Sequence, residues 1–369
     1  MIWSRNFLCA MTVVFAIQSV GCSEEPVGRM ATFDRVATSS IRAVACLQDA
    51  HVVAVIAQDA EVVSFDALAN PIRVVRRPIS GRNAVSITSE TSELPCIVVS
   101  GNPGGGALFR VSLDDDWRFA ELTRSHNLGH RVPSVPAQYI LLRTMQAANA
   151  ECVITGNRIV DGHLEEVFRL PAESSGLWRR YAFTQELDCY AISPDGKQVV
   201  LSHPNSDAMP IIETASGRVI GEFRNVEEVR RFTATSFTPD GSHLVATNVN
   251  GRVTLWDAKS RKFLREIDRI APSVTHEVRF LNQGKLLFVC IPMREVGRRS
   301  AIKFWDGHTF EPIVDIVSML PPENEEARTL TAVATSEDGS RVVIGDGGGR
   351  VHIWTAPTDD LRYQKMNSP

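Results

Sequence analysis

Short apolar runs and period-two alternation, separated by turn-forming clusters, recur along most of this chain. Leu244-Val-Ala-Thr and Arg341-Val-Val-Ile are apolar runs, while Arg252-Val-Thr-Leu-Trp256 and Arg350-Val-His-Ile-Trp354 alternate in character. Runs of this length and period predict short β-strands. Between them stand polar clusters such as Phe237-Thr-Pro-Asp-Gly241, Ile192-Ser-Pro-Asp-Gly196 and Thr335-Ser-Glu-Asp-Gly339. In such a turn Pro presets one dihedral, Asp caps the backbone and Gly takes the left-handed position.

The elements repeat at a fixed distance. Gly241 precedes Trp256 by 15 residues, as Gly339 precedes Trp354, and Trp256, Trp305 and Trp354 are spaced 49 apart. A period of this size signals supersecondary units that cannot bury their own faces and must stack. Weaker copies extend upstream. Gln198 to Ser202 follows a fourth turn, Ile192 to Lys197, while Ala50 to Phe65 repeats the 15-residue step, and Phe65-Asp66 stands for Trp-Asp. Arg82 to Leu122 and Gln138 to Tyr181 each hold strand-like runs, which brings the units to seven.

The unit resembles a WD40 repeat on the residues just quoted, most specifically from Leu187 onward. The resemblance implies an all-β fold, a seven-bladed WD40-like β-propeller over residues 31–369, with four strands, a to d, per blade. Such rings commonly close by giving the last blade an outer strand from the N-terminus. Thr32-Phe-Asp-Arg-Val36 is the expected strand, and Leu361 to Lys365 the alternative. Family members also carry Gly-His before strand a and Asp between strands b and c. Here Gly129-His130 is the only plausible Gly-His, and Asn250 occupies one place where Asp is expected.

Residues 1–21 change the picture of where the protein works. Arg5, an apolar stretch from Phe7 to Ile17 and then Ser19-Val-Gly-Cys22 read as a signal peptide, too short to span a bilayer. The end resembles the lipobox of bacterial lipoproteins, which implies acylation of Cys22; ordinary cleavage near Gly21 is the alternative. Residues 22–30 then form a polar tether. The expected location is exported, a membrane-anchored lipoprotein facing the periplasm or exterior.

Composition adds mainly exclusions. With 39 basic against 43 acidic residues the formal charge is −4, so no nucleic-acid partner is expected. Cys46, Cys96, Cys152, Cys189 and Cys290 remain after Cys22, an odd number in an exported chain. All fall in expected a or b strands. They are read as small buried hydrophobes, with a bridge such as Cys46 to Cys96 as the other reading. No nucleophile elbow, zinc-protease helix, phosphate loop or Cys-x-x-Cys pair is present. Gly104-Gly-Gly106 and Gly347-Gly-Gly349 are read as hairpins, and Asp114-Asp-Asp116 as solvated surface. No catalytic residue, metal or cofactor is assigned.

Departures from the 15-residue step point to function. Gly284 to Trp305 spans 21 residues, which places an insertion around Met293 to Arg299 in a b to c loop. Thr123 to Val135 and Met319 to Arg328 are long d to a connections, and in propellers both loop types share one rim. Rigid scaffolds carry binding residues on such loops. The partner-binding candidates are Arg230, Arg231, Arg294, Arg298, Arg299, His130 and Arg131. The expected function is a non-enzymatic protein-interaction scaffold that binds a protein or peptide, as a monomer or a subunit of an envelope complex. The alternative is an exported propeller enzyme or small-molecule sensor, lactonase-like or quinone-cofactor-like.

Overall fold

A computed structural model describes residues 29–356 except 35, 38, 48–51, 58–60, 67–73, 79–83, 91–95, 102–105, 113–118, 126–139, 147–150, 161–162, 171–188, 203–207, 225–231, 271–276, 292–300, 317–329 and 337–338. Regular structure there is strand, apart from one short 3-10 turn at Asn282–Gly284. Among the described residues no helix is long and apolar enough to cross a membrane.

Strand β1 (Arg29–Phe33) precedes a succession of antiparallel meanders. The first sheet holds β2 (Ile41–Leu47), β3 (Val52–Ala57), β4 (Glu61–Asp66) and β5 (Val74–Pro78). The second holds β6 (Ala84–Glu90), β7 (Cys96–Gly101), β8 (Gly106–Ser112) and β9 (Phe119–Ser125). The third has three described strands, β10 (Ile140–Gln146), β11 (Glu151–Val160) and β12 (His163–Leu170). The fourth comprises β13 (Cys189–Ile192), β14 (Gln198–Ser202), β15 (Ala208–Glu213) and β16 (Val219–Arg224). The fifth comprises β17 (Phe232–Phe237), β18 (His243–Asn248), β19 (Arg252–Asp257) and β20 (Phe263–Arg269). The sixth has β21 (Glu277–Leu281), β22 (Leu286–Ile291), β23 (Ala301–Asp306) and β24 (Pro312–Asp315). The seventh joins β25 (Leu330–Thr335), β26 (Arg341–Asp346) and β27 (Val351–Thr355) to β1.

The turns do what their residues dictate. Gly196, Gly241 and Gly339 sit at φ 69°, 70° and 73°. In the fifth sheet Asp240 Oδ1 accepts from Thr238 Oγ1 at 2.6 Å and from the Ser242 amide at 3.0 Å, locking the β17–β18 hairpin. These bonds hold the Asp240 carboxyl down at about 2.

Registers place equivalent residues identically. Trp256 lies opposite Leu244, Trp305 opposite Leu287 and Trp354 opposite Val342; Phe65 and Ile212 take the same place opposite Val53 and Val199. All three tryptophans are buried. Burying one such ring removes area worth roughly 4–6 kcal/mol against an extended chain. Their anchoring role therefore follows from size and register together.

Each apolar core is shared by two sheets. One joins Val200, Met209 and Phe223 of the fourth to Phe232 and Trp256 of the fifth; another joins Val253 and Leu255 to Leu287 and Trp305 of the sixth. Phe288 and Phe304 of the sixth pack with Val342 and Trp354 of the seventh. The seventh meets the first, through Val343 and Ile353 against Ile41 and Val44. The sequence of contacts continues through β2 against β6 and β9 against β12.

The N-terminal strand contributes to the last sheet, but three residues earlier than expected. Arg29 to Phe33 pairs with Thr355 to Val351. Asp34 is an exposed turn residue, whereas Val36 leaves the ladder to fill the core beside Ile41. The expected span, Thr32 to Val36, overlaps the strand only at Thr32 and Phe33. Leu361 to Lys365 lies outside the described residues.

Candidate functional site

The residues expected to bind a partner, His130, Arg131, Arg230, Arg231, Arg294, Arg298 and Arg299, and the expected lipid site Cys22, lie outside the described residues. So do Met293 and the acidic Glu323, Glu325 and Glu326. The described strands on either side place these segments between β9 and β10, β16 and β17, β22 and β23, and β24 and β25.

Two polar arrangements within the described residues were not foreseen. The first caps the β26–β27 hairpin. Asp346 Oδ1 accepts the Gly348 and Arg350 amides, each at 2.9 Å, while Oδ2 accepts from Arg350 Nε at 2.7 Å. His352 Nε2 stands 3.3 Å from the same oxygen, and its Nδ1 stands 3.0 Å from Thr32 Oγ1 on β1. Burial alone would push the Asp346 carboxyl up. Hydrogen bonds from His352 and Arg350 outweigh it and hold the group below its ordinary value. This network ties the N-terminal strand to the last hairpin.

The equivalent cap in the fifth sheet corrects the expectation for Asn250. Asn248 Oδ1 accepts the Asn250 and Arg252 amides at 3.1 and 3.0 Å, so Asn248 does the capping and Asn250 donates to it. An amide serves because the acceptor role needs an oxygen and not a charge.

The second arrangement is on the outer side, where edge strands meet the next sheet. Asp257 and Asp306 each begin a turn between the third and fourth strands. Asp257 Oδ1 accepts the Ser260 amide at 2.6 Å, and Asp306 Oδ1 accepts the Thr309 amide at 2.7 Å. The turns end on Arg261 and Phe310, both at φ 61°, with Gly217 at φ 65° in the equivalent turn of the fourth sheet. Two side chains are thus held in left-handed backbone, a conformation that costs a non-glycine residue roughly 1–2 kcal/mol.

These turn residues interlock with the preceding sheet in two different ways. At the fifth–sixth seam Arg265 of β20 lies over the Phe310 ring, 5.5 Å from its centroid, and donates to the Thr309 carbonyl at 3.0 Å. Lys303 meets Asp268 across the same seam at 3.2 Å. At the fourth–fifth seam the register position of Arg265, opposite Leu255, is taken by Gly221, opposite Ile211. The Arg261 guanidinium lies where a Gly221 side chain would project. The pair is exchanged and the seam is left as a groove, lined by Glu222, Arg224, Ser260, Arg261, Lys262 and Phe263.

The two cysteines whose side chains are described are structural. Cys46 and Cys290 are buried and form no disulfide, so Cys46 does not bridge to Cys96. Burial, helped by Glu277 opposite it, pushes the Cys290 thiol well above its ordinary range, which leaves little thiolate for nucleophilic chemistry. Among the described residues no three His, Cys, Asp or Glu side chains converge on a point that could hold a metal.

Comparison with known proteins adds little to this geometry. No family model matches the chain. It is 28% identical over 188 residues to a 66 kDa stress protein of Physarum polycephalum, an alignment that covers 50% of this chain and 27% of that protein. The chain thus spans about a quarter of the length of this curated relative.

Proposed function

We propose that the chain is a seven-bladed WD40-like β-propeller that acts as a non-enzymatic protein-interaction scaffold, tethered to a membrane surface by lipid on Cys22. The observation that carries this reading is the contact of the seventh sheet with the first, through Val343 and Ile353 against Ile41 and Val44. Completion of the seventh sheet by β1 adds support, because both features suit a ring of blades. A ring of this kind spends its polar interior groups on turns and presents loops on a rigid body, which favours recognition over chemistry.

The tether has a physical consequence. Six residues lie between Cys22 and Arg29, so the seven residue-to-residue steps reach at most about 25 Å from lipid to β1. The body would sit close against the membrane, in the periplasm or outside the cell. Acyl chains contribute ~0.8 kcal/mol per buried methylene, so two or more hold it there without a spanning helix.

The test has two arms. Labelled palmitate should enter the wild-type protein in cells and fail to enter Cys22→Ala; equal labelling would remove the lipid anchor. Cross-linked partners recovered with the intact chain should be lost when Met293 to Arg299 is shortened. Unchanged partners would remove the loop-rich face as the binding surface.

A further inference from the structure

Three edge strands of the fourth, fifth and sixth sheets can be compared residue by residue. An open edge is a template for strand addition, and proteins block it with charge, proline or short length. Strand β24 has four residues and begins at Pro312. Strand β20 carries Arg265, Glu266, Asp268 and Arg269, and Arg265 and Asp268 also bridge to the next sheet. Strand β16 reads Val219-Ile-Gly-Glu-Phe-Arg224 and has neither device in its first half. Val219 and Ile220, at 38% and 37% exposure, are two of the three large apolar residues exposed among the described residues.

The surroundings of that edge have a defined charge. Phe223 faces the fifth sheet, edge-on to Trp256 at 6.1 Å, and Gly221 faces Arg261. Strand alternation then sends Glu222 and Arg224 to the other face. The groove therefore runs over the β16 edge, with Arg224 on one side and Arg261 and Lys262 on the other. Arg224 is paired with Glu222. Neither Arg261 nor Lys262 has an ion-pair partner among the described residues, and both are exposed.

We infer that the β16 edge receives an extended acidic segment of another protein, which adds as a strand in the groove between the fourth and fifth sheets. Main-chain hydrogen bonds to β16 supply affinity, and carboxylates beside Arg261 and Lys262 select the sequence. The surface is separate from the loop segment Met293 to Arg299. Shortening Met293 to Arg299 leaves it intact, and its failure leaves the scaffold reading standing.

The test uses the full chain and a labelled six-residue peptide of alternating Glu and Val, capped at both ends and followed by fluorescence anisotropy. One control replaces Glu by Lys, and a second carries a methyl group on every backbone nitrogen, which removes its ladder donors. The Glu peptide should bind, and both controls should bind about tenfold more weakly or worse. The double substitution Arg261→Glu, Lys262→Glu should weaken the Glu peptide by a similar factor, and Ile220→Lys should block the edge. Equal binding of the methylated or the Lys peptide overturns the inference, as does no binding at millimolar concentration or full binding by the charge-reversed variant. Self-association lost in Ile220→Lys would assign the edge to a second copy of this chain and overturn it too. Should a variant fail to fold, the two control peptides on the unaltered protein decide.

Discussion

If neighbouring sheets are held by shared cores, then Phe223 of the fourth sheet and Trp256 of the fifth must be energetically coupled. Both are fully buried, their rings meet edge to face at 6.1 Å, and Trp256 also meets Phe232 at 5.8 Å and Phe263 at 5.5 Å. Leucine at either position keeps aliphatic burial but loses ring contacts. Each single change should cost about 2–3 kcal/mol, below the ~3–5 kcal/mol of truncation to alanine. Trp256→Leu also removes the Nε1 donor to Thr254 Oγ1, at 2.9 Å, although that hydroxyl keeps its bond to the Ala246 carbonyl at 2.8 Å. An edge-to-face pair contributes about 0.5–1.5 kcal/mol beyond area, so the double variant should be less destabilised than the sum of singles by about 1 kcal/mol. Urea unfolding followed by far-ultraviolet circular dichroism on the four proteins measures the cycle. Additivity within ~0.3–0.5 kcal/mol would refute the shared core at this seam.

Further outcomes follow from the turns and the N-terminal clasp. Alanine at Gly241 meets only the Pro194 ring, at 3.5 Å, so its cost is the backbone strain of φ +70°, roughly 1 kcal/mol. Gly339→Ala adds a collision with Leu286, and its urea midpoint should fall further than that of Gly241→Ala. The Asp240 carboxyl, held at about 2, lies below its unfolded value of about 3.9, so it stabilises the fold above that value and ceases to as pH falls through 2. The group is exposed, so the stability gap between wild type and Asp240→Asn should be below ~1 kcal/mol at neutral pH and shrink between about pH 4 and 2. Thr32→Val removes the contact to His352 and should cost about 1 kcal/mol. Hydrogen exchange should then accelerate along β1 and β27 before other strands.

Much of the strand pattern was legible because it depends on local chemistry. Asp-Gly turns at Gly196, Gly241 and Gly339 mark hairpins whose strands are β13–β14, β17–β18 and β25–β26. Trp256, Trp305 and Trp354 mark the third strand of their sheets. Where chemistry could be shifted by a residue or two, spacing alone misled. The cap of the fifth sheet belongs to Asn248, since the oxygen must reach two amides beyond the strand end. The strand that completes the seventh sheet starts at Arg29, since Phe33 and Val36 must both reach the core.

The groove at β16 was not legible in the same way, although its signs are present. The left-handed turn position holds Gly217, Arg261 and Phe310 in successive units, and the opposing edge holds Gly221 and Arg265. Each difference is unremarkable alone. Only their juxtaposition across a seam shows that an arginine stacked on phenylalanine at one seam has become an arginine laid over glycine at the other.

The sequence by itself determined the strands, the turns that join them and the residues large enough to anchor each sheet, because backbone preference and side-chain period act within a few residues. Tertiary structure decided which sheets share a core, which hairpin receives the N-terminal strand and which edge stays open. Those outcomes depend on side chains far apart in the chain meeting at one place, as Thr32 meets His352 and Gly221 meets Arg261, and no local period encodes such a meeting.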